Sequence, residues 1–245
     1  KAAEPLTGDP AGSVRAWEQF EIADGIPGPS VDVDALPALE LVETDSAFVL
    51  SGDGFELGIE RETGLLAWYT FRGREMLSTG PEPTFWRAPT DNDFGNRMPR
   101  RQWMWREAGR LPVLHDLEVR RLDAGRVRAT AEINFPVVGA KEVLTYDVYG
   151  TGDVVLSVRF VPGERTSDLP DIPRLGMRLT LPPELGQVEW FGRGPQETYV
   201  DRKSGAAIGR YRSTPSELYH PYIRPQETGN RTDARWIAFR DETGF

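Results

Sequence analysis

The sequence predicts an all-β chain whose strands run antiparallel and close into a large sandwich, with one short helix. Three observations predict it: short alternating apolar runs recur along the chain, glycine-bearing turns separate them closely, and a single stretch carries a helical pattern. Runs at 47–51, 55–60, 65–71, 117–122, 127–135, 142–149, 154–161, 176–181 and 188–191 read as strands. Gly52-Asp53-Gly54, Thr63-Gly64, Arg72-Gly73, Ala124-Gly125 and Thr151-Gly152-Asp153 supply the turns between them. A parallel pair needs a crossover of about a dozen residues, so turns this short leave hairpins and an antiparallel meander. Clean alternation in 127–135 and 154–160 gives each sheet one apolar face, which a second sheet covers.

The helical pattern lies over 99–108, with Pro99 in its first turn and Gly109 just beyond its end. Trp105 and Ala108 share a face with Arg101, and Trp103 points elsewhere. Indoles so placed can anchor in the core or lie on the face of a sugar. Before the first sheet, 16–22 alternates apolar and polar residues and reads as a strand without a nearby partner. Residues 24–38, with Pro27, Pro29 and Pro37, read as a linker. The domain boundary therefore falls near residue 38, dividing 1–38 from 39–245.

Composition narrows the function. A chain of 245 residues with 39% hydrophobic content, seven Trp and eleven Phe can bury a sizeable core. Its 38 acidic residues outweigh 29 basic ones, giving a net charge of −9 without a basic stripe. That balance argues against nucleic acid and anionic membrane surfaces and favours a neutral ligand. Cysteine is absent, which excludes disulfides, thiolate catalysis and Cys-ligated zinc. The two histidines, His115 and His220, are too few for a histidine-rich metal site, and no metal or other cofactor is assigned to this chain. No apolar run approaches the length of a membrane span. The start, Lys-Ala-Ala-Glu-Pro, lacks an initiator Met and a leader pattern and reads as an internal cut in a longer protein.

Three polar segments carry the chemistry. The densest, 82–95, is Glu-Pro-Thr-Phe-Trp-Arg-Ala-Pro-Thr-Asp-Asn-Asp-Phe-Gly. Pro89 and Gly95 bound a tight turn that presents Asp91, Asn92 and Asp93, with Gly95 supplying a positive φ. These side chains can serve a ligand, or can simply cap backbone donors and pair with Arg87. The second segment runs from Trp190 to Lys203, where a strand ends in a Gly-X-Gly-Pro turn followed by Gln196, Glu197, Tyr199, Asp201 and Arg202. Gly192 and Gly194 lack the spacing and following helix of a phosphate loop. The third, 219–236, mixes Tyr219, His220, Tyr222 and Trp236 with Glu227, Asn230 and Arg231. Planar polar groups beside aromatic rings suit a sugar's hydroxyls and its C–H face, and also make ordinary loop networks. Glu197 and Glu227 are the one carboxylate pair in similar loops; a retaining glycosidase would need them about 5–5.5 Å apart, while the plainer reading bonds each to backbone or Arg.

Taken in order, Arg87-Ala88-Pro89-Thr90-Asp91-Asn92-Asp93-Phe94-Gly95, the motif from Gly192 to Arg202 and the motif from Tyr219 to Arg231 resemble the C-terminal small-chain domain of the family-two glycoside hydrolase β-galactosidases. The resemblance implies a large antiparallel supersandwich like that of the galactose mutarotases. It also implies that 16–20 closes a preceding immunoglobulin-like domain and that the family domain continues past Phe245. The acid/base and nucleophile glutamates, with magnesium and sodium, then belong to a barrel elsewhere in the polypeptide, and this chain holds no catalytic residue. Its partners are the other domains of that polypeptide and a β-galactoside such as lactose, in a cytoplasmic homo-oligomer. Gly95, Asn96, Arg97 and Met98 match a mobile loop at the substrate mouth, with Gly95 as its hinge. Arg87, Asp91, Asn92, Asp93, Glu197, Tyr199, Arg202, Glu227, Asn230 and Arg231 are the motif residues, either structural or facing sugar. A stand-alone carbohydrate-binding module and a mutarotase-like epimerase using His115 and His220 remain as alternatives.

Overall fold

The structure is a computed structural model that describes residues 13, 14, 16–22, 32, 35–164 and 168–245. Among these, fourteen strands and four short helices account for the regular structure, and the strands that pair in sequence-adjacent hairpins do so antiparallel. The chain divides into two compact units. One comprises Val31–Gly186, His220–Glu227 and Arg240–Phe245; the other comprises Gln187–Tyr219, Thr228–Phe239 and the described part of Lys1–Ser30.

The larger unit is built on two meanders. The first is a five-stranded sheet of β1 (Glu40–Glu43), β2 (Ala47–Gly52), β3 (Phe55–Glu60), β4 (Leu66–Phe71) and β5 (Arg74–Glu75), in sequence order. The second is a four-stranded sheet of β7 (Val113–Asp123), β8 (Arg126–Phe135), β9 (Ala140–Tyr149) and β10 (Val154–Val161). Between them in sequence, β6 (Thr79–Thr84) pairs with β11 (Gly176–Thr180). Alternation decides the inner faces: Val127, Ala129, Ala131, Ile133 and Phe135 of β8 and Leu144, Tyr146 and Val148 of β9 are buried, with polar residues between them. They share one core with Leu50 of β2 and Leu57 and Ile59 of β3. At one end Phe85 meets Phe135 edge-on at 4.8 Å and Trp105 at 5.7 Å. The Trp105 indole N–H donates to the Pro170 carbonyl at 2.7 Å, so burial strands no polar atom. Truncating that indole would cost about 3–5 kcal/mol.

The smaller unit carries a three-stranded sheet in the order β13 (Ala207–Ser213), β12 (Gln187–Gly194), β14 (Trp236–Arg240). β12 does not stop at Phe191 in a Gly-X-Gly-Pro turn. Pairing continues to Gly194 opposite Ala207, because the bare glycines admit close neighbours: a Cβ on Gly192 would lie 2.8 Å from Ala234 Cα.

Several sequence expectations need correction. Residues 16–22 form no strand: Trp17, Phe20 and Ile22 stay exposed, and the Gln19 side chain reaches β13. Its amide donates to the Ile208 carbonyl at 2.9 Å and accepts from the Ile208 N–H at 2.7 Å, replacing a backbone ladder at that point. Of the expected linker, 24–31, 33 and 34 lie outside the described residues, and its end is packed, with a Cβ on Gly150 falling 1.8 Å from the Pro37 carbonyl.

The single expected helix is divided into α2 (Met98–Arg101) and α3 (Trp103–Arg110) at Gln102, whose φ of −113° and ψ of 13° leave the helical range. With α1 (Asp91–Gly95) and α4 (Pro215–Leu218) the described residues hold four short helices rather than one. Trp105 and Ala108 are buried and Trp103 is exposed, as the helical spacing predicts.

Candidate functional site

The first motif folds into α1 rather than an open turn. Thr90 caps it: its hydroxyl accepts from the Asp93 N–H at 3.4 Å, and Asp93 accepts the Thr90 N–H at 2.8 Å. Asp93 also receives a two-pronged guanidinium from Arg87, one arm at 3.1 Å. Burial alone would raise this carboxyl, but the Arg87 fork and the Thr90 N–H and hydroxyl outweigh it and hold it below the usual aspartate range. Glu227 completes the group. Its carboxylate lies 3.6 Å from Arg87 and contacts Arg174, while its N–H donates to the Pro89 carbonyl at 3.3 Å. Gln226 accepts from the Asp91 N–H at 3.2 Å, and Arg224 lies over the Phe94 ring at 4.3 Å.

The second motif forms a separate network in the smaller unit. Glu197 pairs with Arg202 at 2.6 Å and accepts from the Thr228 hydroxyl at 3.1 Å and the Gly229 N–H at 2.9 Å. Arg202 also lies over the Tyr199 ring at 5.4 Å. Thr198 is buried; its N–H donates to the Asn230 carbonyl, and the Asn230 amide donates back to the Thr198 carbonyl at 2.7 Å. Arg231 donates to the carbonyls of Gly229, Asn230 and Pro195 and covers the Trp190 ring at 5.0 Å. Burial lowers the pKa of Arg231, and the nearby Glu197 and Tyr199 oppose that shift. The third motif is thus shared out: the part through Glu227 bonds with the first motif, and Thr228 to Asp233 with the second.

These motifs match a known family. The family model for the beta-galactosidase small chain covers residues 51–245. The chain belongs to the beta-galactosidase small-chain family. Among the relatives it resembles, a beta-galactosidase of Priestia megaterium is 32% identical over 243 residues, 96% of this chain and 22% of that protein. One of Lactobacillus delbrueckii subsp. bulgaricus is 36% identical over 207 residues, 84% of this chain and 20% of its own length. One of Vibrio cholerae is 37% identical over 188 residues, covering 72% of this chain and 18% of that protein. This small chain spans about a fifth of the length of these curated relatives.

Within the small chain, the four residues of the expected mouth loop form the joint between α1 and α2. Gly95, Asn96 and Arg97 are exposed and Met98 is buried. The positive φ expected at Gly95 falls on Arg97 instead, at 63°. Gly95 closes the α1 turn, and a Cβ there would meet nothing within 4 Å. Asp91 and Asn92 lie exposed on α1. The two histidines keep different company: His115 Nε2 lies 4.0 Å from Glu132, and His220 packs against Tyr222 at 4.3 Å. Among the described residues no three His, Asp or Glu side chains gather as metal ligands would, and no helix is long and apolar enough to cross a membrane.

Two features escaped sequence reasoning. One is a cleft of about 820 Å³ beside α3, lined by Trp86, Arg87, Arg106, Arg110, Arg174 and Arg178 among others. Those arginines are spread over the chain and make no stripe. The other is Glu142, which occupies an inward position of β9, exposes no surface and has no partner for either carboxylate oxygen among the described residues. Burial pushes its carboxyl up to about 7. Its inward place in the alternation was the available signal, since a glutamate in phase with Leu144 and Tyr146 breaks the strand pattern.

Proposed function

We propose that this chain is the noncatalytic small-chain portion of a retaining β-galactosidase that releases terminal β-D-galactose from substrates such as lactose. In this reading Gly95, Asn96, Arg97 and Met98 border the substrate mouth, and the reacting glutamates, with magnesium and sodium, are supplied by another part of the polypeptide. The partners are then the remaining domains of that polypeptide and the galactoside itself, in a cytoplasmic homo-oligomer.

One observation carries the reading. Every motif carboxylate placed to do acid–base work is already engaged: Asp93 by Arg87 and Thr90, Glu227 by Arg87 and Arg174, and Glu197 by Arg202, Thr228 and Gly229. A catalytic carboxyl must turn at least one oxygen to the substrate, and these carboxylates have theirs committed to neighbouring cations and donors. Such loops suit positioning rather than proton transfer. The test is turnover of nitrophenyl β-galactoside by the 245-residue chain alone. No hydrolysis above buffer is expected; a kcat/KM on the order of 10⁴ M⁻¹ s⁻¹, ordinary for an enzyme, would refute the proposal.

A further inference from the structure

The cleft beside α3 is at odds with the charge of the chain that forms it. The protein as a whole carries a net charge of −9, yet the described residues lining this cleft include five arginines and no Asp, Glu or Lys. They come from three places: Arg87 from the segment before α1, Arg106 and Arg110 from α3, and Arg174 and Arg178 from β11 and its approach.

The carboxylates that pair with these arginines do not line the cleft. Arg178 is held by Glu82 at 2.9 Å, Arg110 by Glu107 at 3.5 Å, and Arg87 by Asp93, while Arg174 and Arg87 share Glu227. A guanidinium has five N–H donors, and one carboxylate contact occupies one or two of them. Arg106 is exposed and has no hydrogen-bond or ion-pair partner among the described residues. Donors therefore converge on a concave space whose described lining holds no carboxylate to neutralise them. The cleft volume lies within the range of small-ligand sites, about 300–1,000 Å³. Half-buried Trp86 gives one wall a flat apolar surface next to the charged groups, and Pro83 and Met177 extend it.

From this geometry we propose that the cleft binds a small anionic saccharide, a sugar acid or sugar phosphate, with the anionic group against the arginines and a C–H face against Trp86. The anion half of the proposal stands on the arginine lining. The saccharide half rests on the proposed function, and also on the indole wall, because rings with axial C–H groups pack on aromatic faces while their hydroxyls accept the remaining guanidinium N–H donors.

The experiment is isothermal titration of the chain with galacturonate, galactose 6-phosphate, galactose and inorganic phosphate, at low and high salt. Both sugar anions are expected to bind at least about tenfold more tightly than either galactose or phosphate, and to weaken as salt rises. Arg106→Ala with Arg110→Ala should weaken the sugar anions by about tenfold or more, whereas Arg100→Ala, exposed on α2 and outside the lining, should not. The proposal is overturned if neither sugar anion binds at about 10 mM, or if the double variant binds as tightly as the parent. Phosphate or galactose matching the sugar anions would overturn it too, as would tighter binding of a glutamate-rich peptide. Because the readout is binding without turnover, failure here leaves the galactosidase reading to its own test.

Discussion

Glu142 offers the sharpest test of the fold. Its carboxyl sits on the inner face of β9, flanked across the sheet by Ile133 and Phe160, and neither oxygen finds a donor among the described residues. In the folded chain the group titrates near 7, against 4.5 for an unperturbed glutamate. Between those values the folded state holds a proton that the unfolded state releases, so stability falls as pH rises through the window and levels off above it. The full shift corresponds to about 3 kcal/mol at about 1.4 kcal/mol per pH unit, with the stabilisation complete below 4.5 and lost above 7.

Replacing Glu142 with Met keeps the length of the side chain and removes the titration. Urea unfolding of parent and E142M between about pH 5 and pH 8 should give curves that diverge as pH rises, with the variant more stable by about 2–3 kcal/mol at the alkaline end. The carboxylates held below their ordinary range, including Asp93, Asp123 and Asp233, act in the opposite sense and only at more acidic pH, so they do not mask the divergence. A difference between parent and E142M that stays flat across this range would show that Glu142 is solvated or paired, and the reasoning would fail.

Other perturbations follow from the two loop networks. Asp93→Asn removes the charge and one of the two oxygens that together accept the Arg87 fork and the Thr90 N–H, and should cost about 1.5–3 kcal/mol in chemical denaturation. Thr198→Val leaves the Thr232 N–H without the hydroxyl that accepts it at 2.8 Å, and a loss of about 1–3 kcal/mol is expected, measurable as faster amide exchange at Thr232. Gly95→Ala meets no steric obstacle and stiffens the end of α1, so in the full-length galactosidase proposed above it should change kcat or KM on a β-galactoside while leaving stability equal or slightly higher; unaltered kinetics would remove the mouth-loop role.

The main strands were legible because period-two alternation survives wherever one face is buried, as in β8 and β9. The strands that escaped have specific reasons. β6 contains Pro81 and Pro83, which argue against a central strand, and among the described residues its one ladder is to β11. β13 carries Arg210 and Arg212, charges that obscure its strand pattern, and Glu189 on β12 pairs with both. The Arg87–Asp93 pair was legible because both residues lie in one short segment. The division of the third motif after Glu227 was not, since it depends on Arg174 drawing Glu227 one way and Glu197 drawing Gly229 another across long sequence separations. The arginine cleft failed for the same reason: five residues from 87 to 178 form a cluster only after β6, α3 and β11 are in place.

Asp93 and Glu142 show how the same functional group divides the work of this chain. Asp93 gathers a guanidinium and a capped helix turn, so its charge is the structural element; the stabilisation it gives is present above the ordinary aspartate pKa and fades as pH falls below it. Glu142 gathers nothing, so its neutral form is the one the core accepts, and its contribution fades in the other direction. If the joint from Gly95 to Met98 does border a substrate mouth, the group that anchors its leading helix is therefore insensitive to pH in the neutral range, while the sheet core is not. An acid-side loss of loop order, seen as exchange at α1 amides before the β8 and β9 amides respond, is what this division requires. Simultaneous loss of both would mean that Asp93 is not the element holding α1 in place.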